Sequence, residues 1–232
     1  MAEQRGERTG PGLIVAIEGI DRAGKSTQTE RLRASLEAAG ERVAVLSFPR
    51  YESFFGRTIR ALLDGNGATS AATLDPRSMS LWYALDRWRA MDQLDPNATV
   101  VLLNRYTLSN AVYQSARASD AEADDLFRWV LELEFGELRL PRPDLTVILD
   151  VAPDVSQDRS HRVGGPDGRA EAPDVYERSA GLLARARARY LASPQLLADV
   201  EVIACSDADG VLLDPDAVHH RVNAALTARR AR

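Results

Sequence analysis

Short apolar runs alternate with longer segments of helical periodicity along most of the chain. Five runs have the length and the Val, Ile and Leu content of buried strands. They cover residues 13–18, 42–48, 99–103, 145–151 and 200–205. Apolar residues recur at helical spacing over residues 25–39, 74–94, 109–117, 122–137, 153–161, 174–191 and 215–229. This alternation predicts an α/β fold of three layers, a five-stranded parallel sheet flanked by helices.

Two segments interrupt this pattern and predict loops. Residues 65–73 are rich in Gly, Ala, Thr and Ser, and residues 163–173 contain the run Gly-Gly-Pro-Asp-Gly. Such residues favour turns over core elements. The sequence has no internal repeat and no linker long enough to separate two domains. We therefore expect one domain over residues 13–232 with a short lid at about 162–173, preceded by a flexible tail over residues 1–12.

The composition of the chain favours one cellular compartment and argues against some classes of binding partner. The 232 residues carry a net charge of −5, which disfavours broad binding to nucleic acids or membrane surfaces. No apolar stretch approaches the ~20 residues that span a bilayer. The single cysteine, Cys205, lies in an apolar run and is predicted to be a core residue. We expect a cytoplasmic protein without nucleic-acid or membrane partners.

The strongest motif lies where the first predicted strand meets the first predicted helix. Residues 19–26 read G-x-x-x-x-G-K-S, in which the two glycines let the backbone turn its N–H groups around phosphate oxygens. Lys25 would place an ammonium on the β- and γ-phosphates, and the Ser26 hydroxyl would be a Mg²⁺ ligand. The predicted triphosphate-binding residues are Gly19, Ile20, Asp21, Arg22, Ala23, Gly24, Lys25, Ser26 and Thr27.

Arginines after the predicted strands indicate a second anionic ligand. Arg50 and Arg105 follow the second and third strands, at the sheet edge where ligands of doubly wound folds bind. Their planar guanidinium groups match phosphate geometry. The chain also lacks an Asn-Lys-x-Asp guanine-reading tetrad. These features favour a small-molecule kinase over a GTPase switch.

Six segments, in order along the chain, resemble the thymidylate kinase family. They are the loop at 18–28, Phe-Pro-Arg-Tyr at 48–51, Asp-Arg-Trp at 86–88, Asn-Arg-Tyr with Ser-Asn within 104–110, Leu-Pro-Arg-Pro-Asp at 140–144 and Tyr-Glu-Arg at 176–178. The resemblance implies a P-loop kinase fold and the phosphorylation of dTMP to dTDP by ATP and Mg²⁺, by a homodimer.

The resemblance also implies a substrate site. Tyr83 would stack on thymine, Arg87 would donate to a thymine carbonyl, Asn110 would read the base edge and Tyr113 would crowd the 2′ position. Taken alone, both tyrosines could be core residues and Arg87 a solvated helix residue. The expected substrate-binding residues are Asp21, Phe48, Pro49, Arg50, Tyr51, Tyr83, Arg87, Arg105, Ser109, Asn110, Tyr113 and Tyr176.

Catalysis by such a site requires positioning and positive charge more than covalent chemistry. We expect Lys25 and Arg105 to act with Arg22, which would contact the transferring phosphoryl group. Arg159, near the start of the lid, could stack on adenine.

One position departs from the family pattern. Asn104 stands where the family usually has an Asp that helps to hold hydrated Mg²⁺. A neutral amide is a weaker partner for a hard cation, and Asp21 and Glu177 are candidates to compensate through water. Three alternatives stay open: a UMP/CMP or deoxynucleoside kinase, a nucleotide-binding relative with little or no catalysis, and a GTPase switch.

Overall fold

The computed structural model of the chain describes residues 12–95, 97–155, 174–207 and 209–231. Most of the expected tail, the expected lid at 162–173 and Arg159 lie outside the described residues. The predicted helix at 153–161 also lies outside the described residues from residue 156 onward. Five parallel strands form one sheet in the order β2-β3-β1-β4-β5. They are β1 Leu13–Glu18, β2 Val43–Ser47, β3 Val100–Asn104, β4 Leu145–Asp150 and β5 Val200–Ala204.

The register places the ends of the first three strands level with one another. Ile17 of β1 and Ser47 of β2 both lie opposite Asn104 of β3. Because these strands are parallel, the segments that follow them leave the sheet at one edge. That edge therefore collects the glycine-rich loop, the Phe48–Pro49 segment and Arg105.

Helices cover both faces of the sheet. They are α1 Lys25–Ala38, α2 Phe54–Asp64, α3 Pro76–Met91, α4 Thr107–Arg117, α5 Asp120–Leu131, α6 Ala180–Ala192 and α7 Pro215–Arg230, and a π-helical segment, Glu132–Glu137, continues α5. None of the described helices is long and apolar enough to cross a membrane. Alternate side chains of β1 enter two separate cores, with Val15 and Ile17 in one and Ile14 and Ala16 in the other. This alternation follows from the two-residue period of a strand.

All five predicted strands are confirmed to within a residue or two, but one helix was not predicted. Helix α2 begins after Ser53, whose side chain accepts a hydrogen bond from the N–H of Gly56, and ends before Gly65 at φ 69°. These are ordinary start and stop signals, so the helix could have been recognised from the sequence.

A second difference concerns the segment before α6. The predicted helix over residues 174–191 starts only at Ala180. The Asp174 carboxylate accepts hydrogen bonds from the N–H groups of Tyr176 and Glu177, which folds residues 174–178 into a turn. Asp commonly competes with helix formation in this way. The expectation that Cys205 is a core residue is confirmed, since only 4% of it is exposed.

Candidate active site

The loop between β1 and α1 has the backbone shape that its glycines predict. Gly19 and Gly24 have φ values of 136° and 94°, which favour glycine. A Cβ on Gly19 would lie 2.6 Å from the carbonyl oxygen of Leu149. The Lys25 ammonium donates to the carbonyl oxygen of Ile20 at 2.6 Å. Burial and the neighbouring Arg105 lower the pKa of Lys25 to about 7.

A cavity of about 570 Å³ opens above this loop, within the size range of small-ligand sites. Polar side chains line one part of it and apolar side chains from the segment after β5 line another. The lining residues are Asp21, Arg22, Ala23, Gly24, Lys25, Ser26, Thr27, Gln28, Phe48, Asn104, Arg105, Glu177, Cys205, Leu212, Leu213, Pro215 and Val218.

A second, smaller cavity shares Asp21, Phe48 and Arg105 with the first. Its other lining residues are Pro49, Tyr51, Leu63, Tyr83, Arg87, Ser109, Asn110, Tyr113, Gln114, Asp174 and Tyr176. Most of the expected substrate-binding residues therefore meet in one place, although they come from five separate segments of the chain.

Arg105 lies where the two cavities meet. Its backbone has φ 64°, and its N–H donates to the carbonyl oxygen of Ile17 at 3.0 Å. Its guanidinium group forms an ion pair with Asp21 and lies within 3.4 Å of the Ser109 hydroxyl. The Arg105 guanidinium carbon lies 5.7 Å from the centre of the Tyr113 ring. These contacts hold a positive charge between the two cavities.

Asp21 is held as a carboxylate by its neighbours. The Tyr113 hydroxyl donates to Asp21 Oδ2 at 2.7 Å. Burial opposes ionisation, but the positive charges of Arg105 and Lys25 and this hydrogen bond outweigh it and lower the pKa of Asp21. Asp174 behaves in the opposite way, because burial and the charge of Asp21 raise its pKa to about 6.

The far end of the smaller cavity is organised around a buried carboxylate. Glu134 accepts hydrogen bonds from Nε and Nη2 of Arg87 at 2.6 and 2.5 Å, and from Nδ2 of Asn110 at 2.8 Å. Arg87 is only 2% exposed. Among the described residues, Oδ1 of Asn110 and Nε2 of Gln114 are buried without a hydrogen-bond partner. Two unsatisfied polar atoms beside a cavity indicate a polar ligand.

The other end of the site has a hydroxyl suited to a cation. Ser26 Oγ accepts a hydrogen bond from Asn104 Nδ2 at 3.1 Å. Oδ1 of Asn104 is buried and has no partner among the described residues. Glu177 also lines this cavity and lies 3.6 Å from Arg22. In the described part of the chain, no cluster of three or more His, Cys, Asp or Glu side chains could hold a metal ion.

Arg50 is the expected substrate residue that the structure places elsewhere. It lines neither cavity, and its Nη1 lies 3.5 Å from Oε1 of Gln93. Its backbone N–H donates instead to Asp86, whose carboxylate also binds the Ser53 hydroxyl at 2.6 Å. Arg50 therefore helps to fix the loop after β2 through its backbone.

Sequence reasoning missed three residues of the site. Gln114 follows Asn110 by four positions, so helical spacing could have revealed it. Asp174 could have been found from its position in the sequence, because it lies just before Tyr176 and Glu177, which were already expected at the site. Glu134 had none, because its partner Arg87 lies 47 residues away in the sequence.

The sheet order, the loop and the two joined cavities define a P-loop phosphotransferase that brings a nucleotide to a second anionic ligand. A family model described as "Thymidylate kinase" matches residues 17–196. The chain is 39% identical over 183 residues to a thymidylate kinase of Mycobacterium tuberculosis, covering 77% of this chain and 84% of the relative. It is 31% identical over 199 residues to a probable thymidylate kinase of Thermococcus gammatolerans, covering 83% and 88%.

A solved structure of thymidylate kinase from Candida albicans shares the fold, with a TM-score of 0.74 and 21% identity over 95% of this chain and 93% of that one. The chain therefore belongs to the thymidylate kinase family. The predicted family and the predicted P-loop kinase fold are confirmed.

Proposed function

We propose that this protein transfers the γ-phosphoryl group of ATP to dTMP and releases dTDP and ADP. The observation that carries the proposal is the pair of cavities that meet at Arg105 and Asp21. The larger cavity would hold the triphosphate over the glycine-rich loop. The smaller one would hold the acceptor nucleotide, with its phosphate at the junction.

Transfer at this junction depends on positioning and charge. The loop N–H groups and Lys25 would hold the β- and γ-phosphates, and Arg22 would contact the transferring group from the same loop. Arg105 would hold the acceptor phosphate, because its guanidinium lies between the two cavities. The acceptor phosphate is already anionic, so the reaction needs no strong general base.

The smaller cavity fits the hydrogen-bonding edge of thymine. That edge presents two carbonyl acceptors and one N–H donor. The cavity offers one unpartnered acceptor, Asn110 Oδ1, together with donors from Gln114 Nε2 and Arg87. Cytosine carries an acceptor where thymine carries the N–H, so it would leave Asn110 unsatisfied. This complementarity favours dTMP over a CMP-type acceptor.

The sugar and ring would contact the aromatic side chains of the same cavity. Tyr83 lines the cavity and would stack on the base. The Tyr113 ring lies 6.1 Å from the stacked ring of Tyr176, and its hydroxyl is tied to Asp21. A ring fixed on two sides could not move aside for a 2′-hydroxyl, which supports a preference for deoxyribose. Phe48, Pro49, Tyr51 and Ser109 would complete the contacts.

The residues near Ser26 fit a Mg²⁺ ion that accompanies ATP. The Ser26 hydroxyl would be its protein ligand, and the buried, unpartnered Asn104 Oδ1 could accept a hydrogen bond from metal-bound water. Asp21 and Glu177 would act through water as well. When bound, the ion would neutralise charge on the phosphates.

We also propose that the enzyme is a homodimer of the cytoplasm. Large apolar side chains are exposed on α2 and α3: Phe54 is 66% exposed and Trp88 45%. Exposed apolar side chains of this size are typical of protein–protein contacts. Light scattering coupled to size-exclusion chromatography would measure the mass in solution, and a mass of one chain would contradict the dimer.

The function is tested by a coupled assay of ADP release with ATP, Mg²⁺ and a panel of acceptors. We expect dTMP to be preferred over dUMP, dCMP and UMP, and Lys25→Ala to abolish turnover. Calorimetry on the same samples separates the alternatives. Binding of both ATP and dTMP without dTDP formation would indicate a non-catalytic relative, and preferential GTP binding would indicate a GTPase switch.

A further inference from the structure

Glu134 is a buried carboxylate with four hydrogen-bond donors and no contact with the smaller cavity. It is fully buried, and the π-helical segment 132–137 directs it toward α3 and α4. Besides Arg87 and Asn110, it accepts a hydrogen bond from Thr107 Oγ1 at 2.8 Å. A π-helical turn is often found at functional sites. Two of the three residues that Glu134 binds line the cavity.

The ion pair determines which guanidinium nitrogen of Arg87 is available to a ligand. Glu134 engages Nε and Nη2 of Arg87 in a bidentate contact. Such a fork fixes the plane of the guanidinium group. Nη1 is left as the donor for a ligand in the cavity.

The same carboxylate determines which way the Asn110 amide points. Nδ2 of Asn110 donates one hydrogen to Glu134 Oε1 at 2.8 Å and the other to the carbonyl oxygen of Ser80 at 3.1 Å. A carboxylate only accepts hydrogen bonds, and so does a carbonyl oxygen. Reversing the amide would therefore bring oxygen against oxygen on both sides. Oδ1 must stay on the free side, where it can only accept.

We propose that Glu134 is a positioning residue that makes the base site selective for a pyrimidine with N–H at position 3. It does so by holding Asn110 as an acceptor and Arg87 as a donor, without touching the base. The proposal rests on the proposed function and adds to it the source of the discrimination between dTMP and dCMP.

Replacing Glu134 with glutamine removes this constraint while keeping the side-chain shape. The new amide can donate or accept, so only the Ser80 carbonyl still opposes reversal of Asn110, and a larger fraction of molecules can present Nδ2 to the cytosine acceptor. The Arg87 charge also loses its partner and its fixed orientation. The triphosphate site has no contact with Glu134 and keeps its residues.

The experiment compares the wild type with Glu134→Gln, Thr107→Val and Glu137→Gln, using dTMP and dCMP as acceptors. Thr107→Val removes one hydrogen bond to the carboxylate without a change of charge or shape. Glu137→Gln is the matched control, since it makes the same change at an exposed position of the same helical segment. We measure kcat and KM for both acceptors, the KM for ATP, and ATP binding by calorimetry.

For Glu134→Gln we expect the KM for dTMP to rise about tenfold or more, with little change in kcat or in the KM for ATP. The preference for dTMP over dCMP in kcat/KM should fall by about tenfold. Thr107→Val should raise the KM for dTMP and lower the preference for dTMP over dCMP, each by about threefold. Glu137→Gln should match the wild type. If Glu134→Gln fails to bind ATP and is therefore unfolded, Thr107→Val decides the outcome.

The proposal is overturned if the acceptor preference stays at the wild-type value in the folded variants. It is equally overturned if kcat and both KM values worsen together at constant preference, because that pattern indicates a structural role only. Failure of the wild type itself to phosphorylate dTMP is a separate result, and it would refute the proposed function.

Discussion

The depressed pKa of Lys25 predicts that nucleotide binding takes up a proton. Lys25 is 6% exposed, and burial and the charge of Arg105 outweigh the nearby carboxylates of Asp21, Glu18 and Glu177. Its pKa is lowered from 10.5 to about 7. A triphosphate beside the ammonium would favour the charged form and raise the pKa again. Between about pH 7 and pH 10, binding must therefore protonate this side chain.

The structure sets the size of the effect. A change of pKa from 10.5 to about 7 corresponds to about 5 kcal/mol between the two protonation states. With a pKa of about 7, about half of the Lys25 side chains carry the proton at pH 7, and about one in a hundred at pH 9. If only the charged form binds tightly, the affinity for the triphosphate should fall about 50-fold between these two pH values. At pH 8, binding should take up about 0.9 proton.

The measurement is isothermal titration calorimetry of a non-hydrolysable ATP analogue with Mg²⁺. Titrations at pH 7, 8 and 9, each in two buffers of different ionisation enthalpy, give the dissociation constant and the number of protons taken up. Lys25→Arg is the matched control, because a guanidinium stays charged throughout this range. Its residual proton uptake reports the ligand's own ionisation and is subtracted.

Equal affinity at pH 7 and pH 9, with the same binding enthalpy in both buffers, would refute the reasoning. It would mean that Asp21, Glu18 and Glu177 keep Lys25 charged before the nucleotide binds, despite its burial. Proton uptake of equal size in Lys25→Arg would refute it as well, since the proton would then belong to another group.

Two further substitutions test the metal side of the site and the loop after β2. Asn104→Asp should retain or raise turnover, because a carboxylate holds hydrated Mg²⁺ more strongly than an amide does. It should also lower the Mg²⁺ concentration needed for half-maximal rate by about tenfold. A large loss of kcat would instead assign the neutral amide a specific role at Ser26. Gly56→Ala should cost about 1–3 kcal/mol of unfolding free energy in urea and raise the KM for dTMP, since its Cβ would lie 1.8 Å from the carbonyl oxygen of Arg50. Gly67→Ala, whose Cβ would have no heavy atom closer than 3.8 Å, is the control and should match the wild type.

The sequence was sufficient to predict those features of the fold and the site that depend only on residues close together in the chain. The strands are continuous apolar runs, and the glycine-rich loop carries its spacing in eight consecutive residues. Arg105 could be placed at the site because an arginine directly after a buried strand leaves the sheet at the ligand edge. Arg50 also follows a strand at this edge, yet its side chain points away from both cavities. Asp86 binds its backbone N–H, and its guanidinium group extends toward Gln93. The rule fixes where a residue leaves the sheet but leaves its rotamer undetermined.

The sequence could not predict which donor and acceptor atoms of the base site face the ligand, because that too depends on side-chain orientation. Asn110 and Arg87 were expected there from their local motifs, but neither motif says which atoms face the ligand. That depends on Glu134, which reaches both residues only when α5 and its π-helical continuation pack on α3 and α4. The contact is tertiary, and it lies on a segment without a recognisable motif.

Helix α4 connects the two ends of the site and explains why they keep a constant separation. Arg105 precedes the helix at the phosphate end, while Asn110 and Gln114 lie on it about 6 Å apart along its axis. Two buried carboxylates hold its first turn: Glu18 accepts the N–H of Tyr106 at 2.8 Å, and Glu134 binds the side chains of Thr107 and Asn110. Negative charge is stabilised at a helix N-terminus, which favours carboxylates at these two positions. The spacing between the phosphate and the base of the acceptor is thus set by one rigid helix rather than by loops, and this favours a mononucleotide over a longer or shorter ligand.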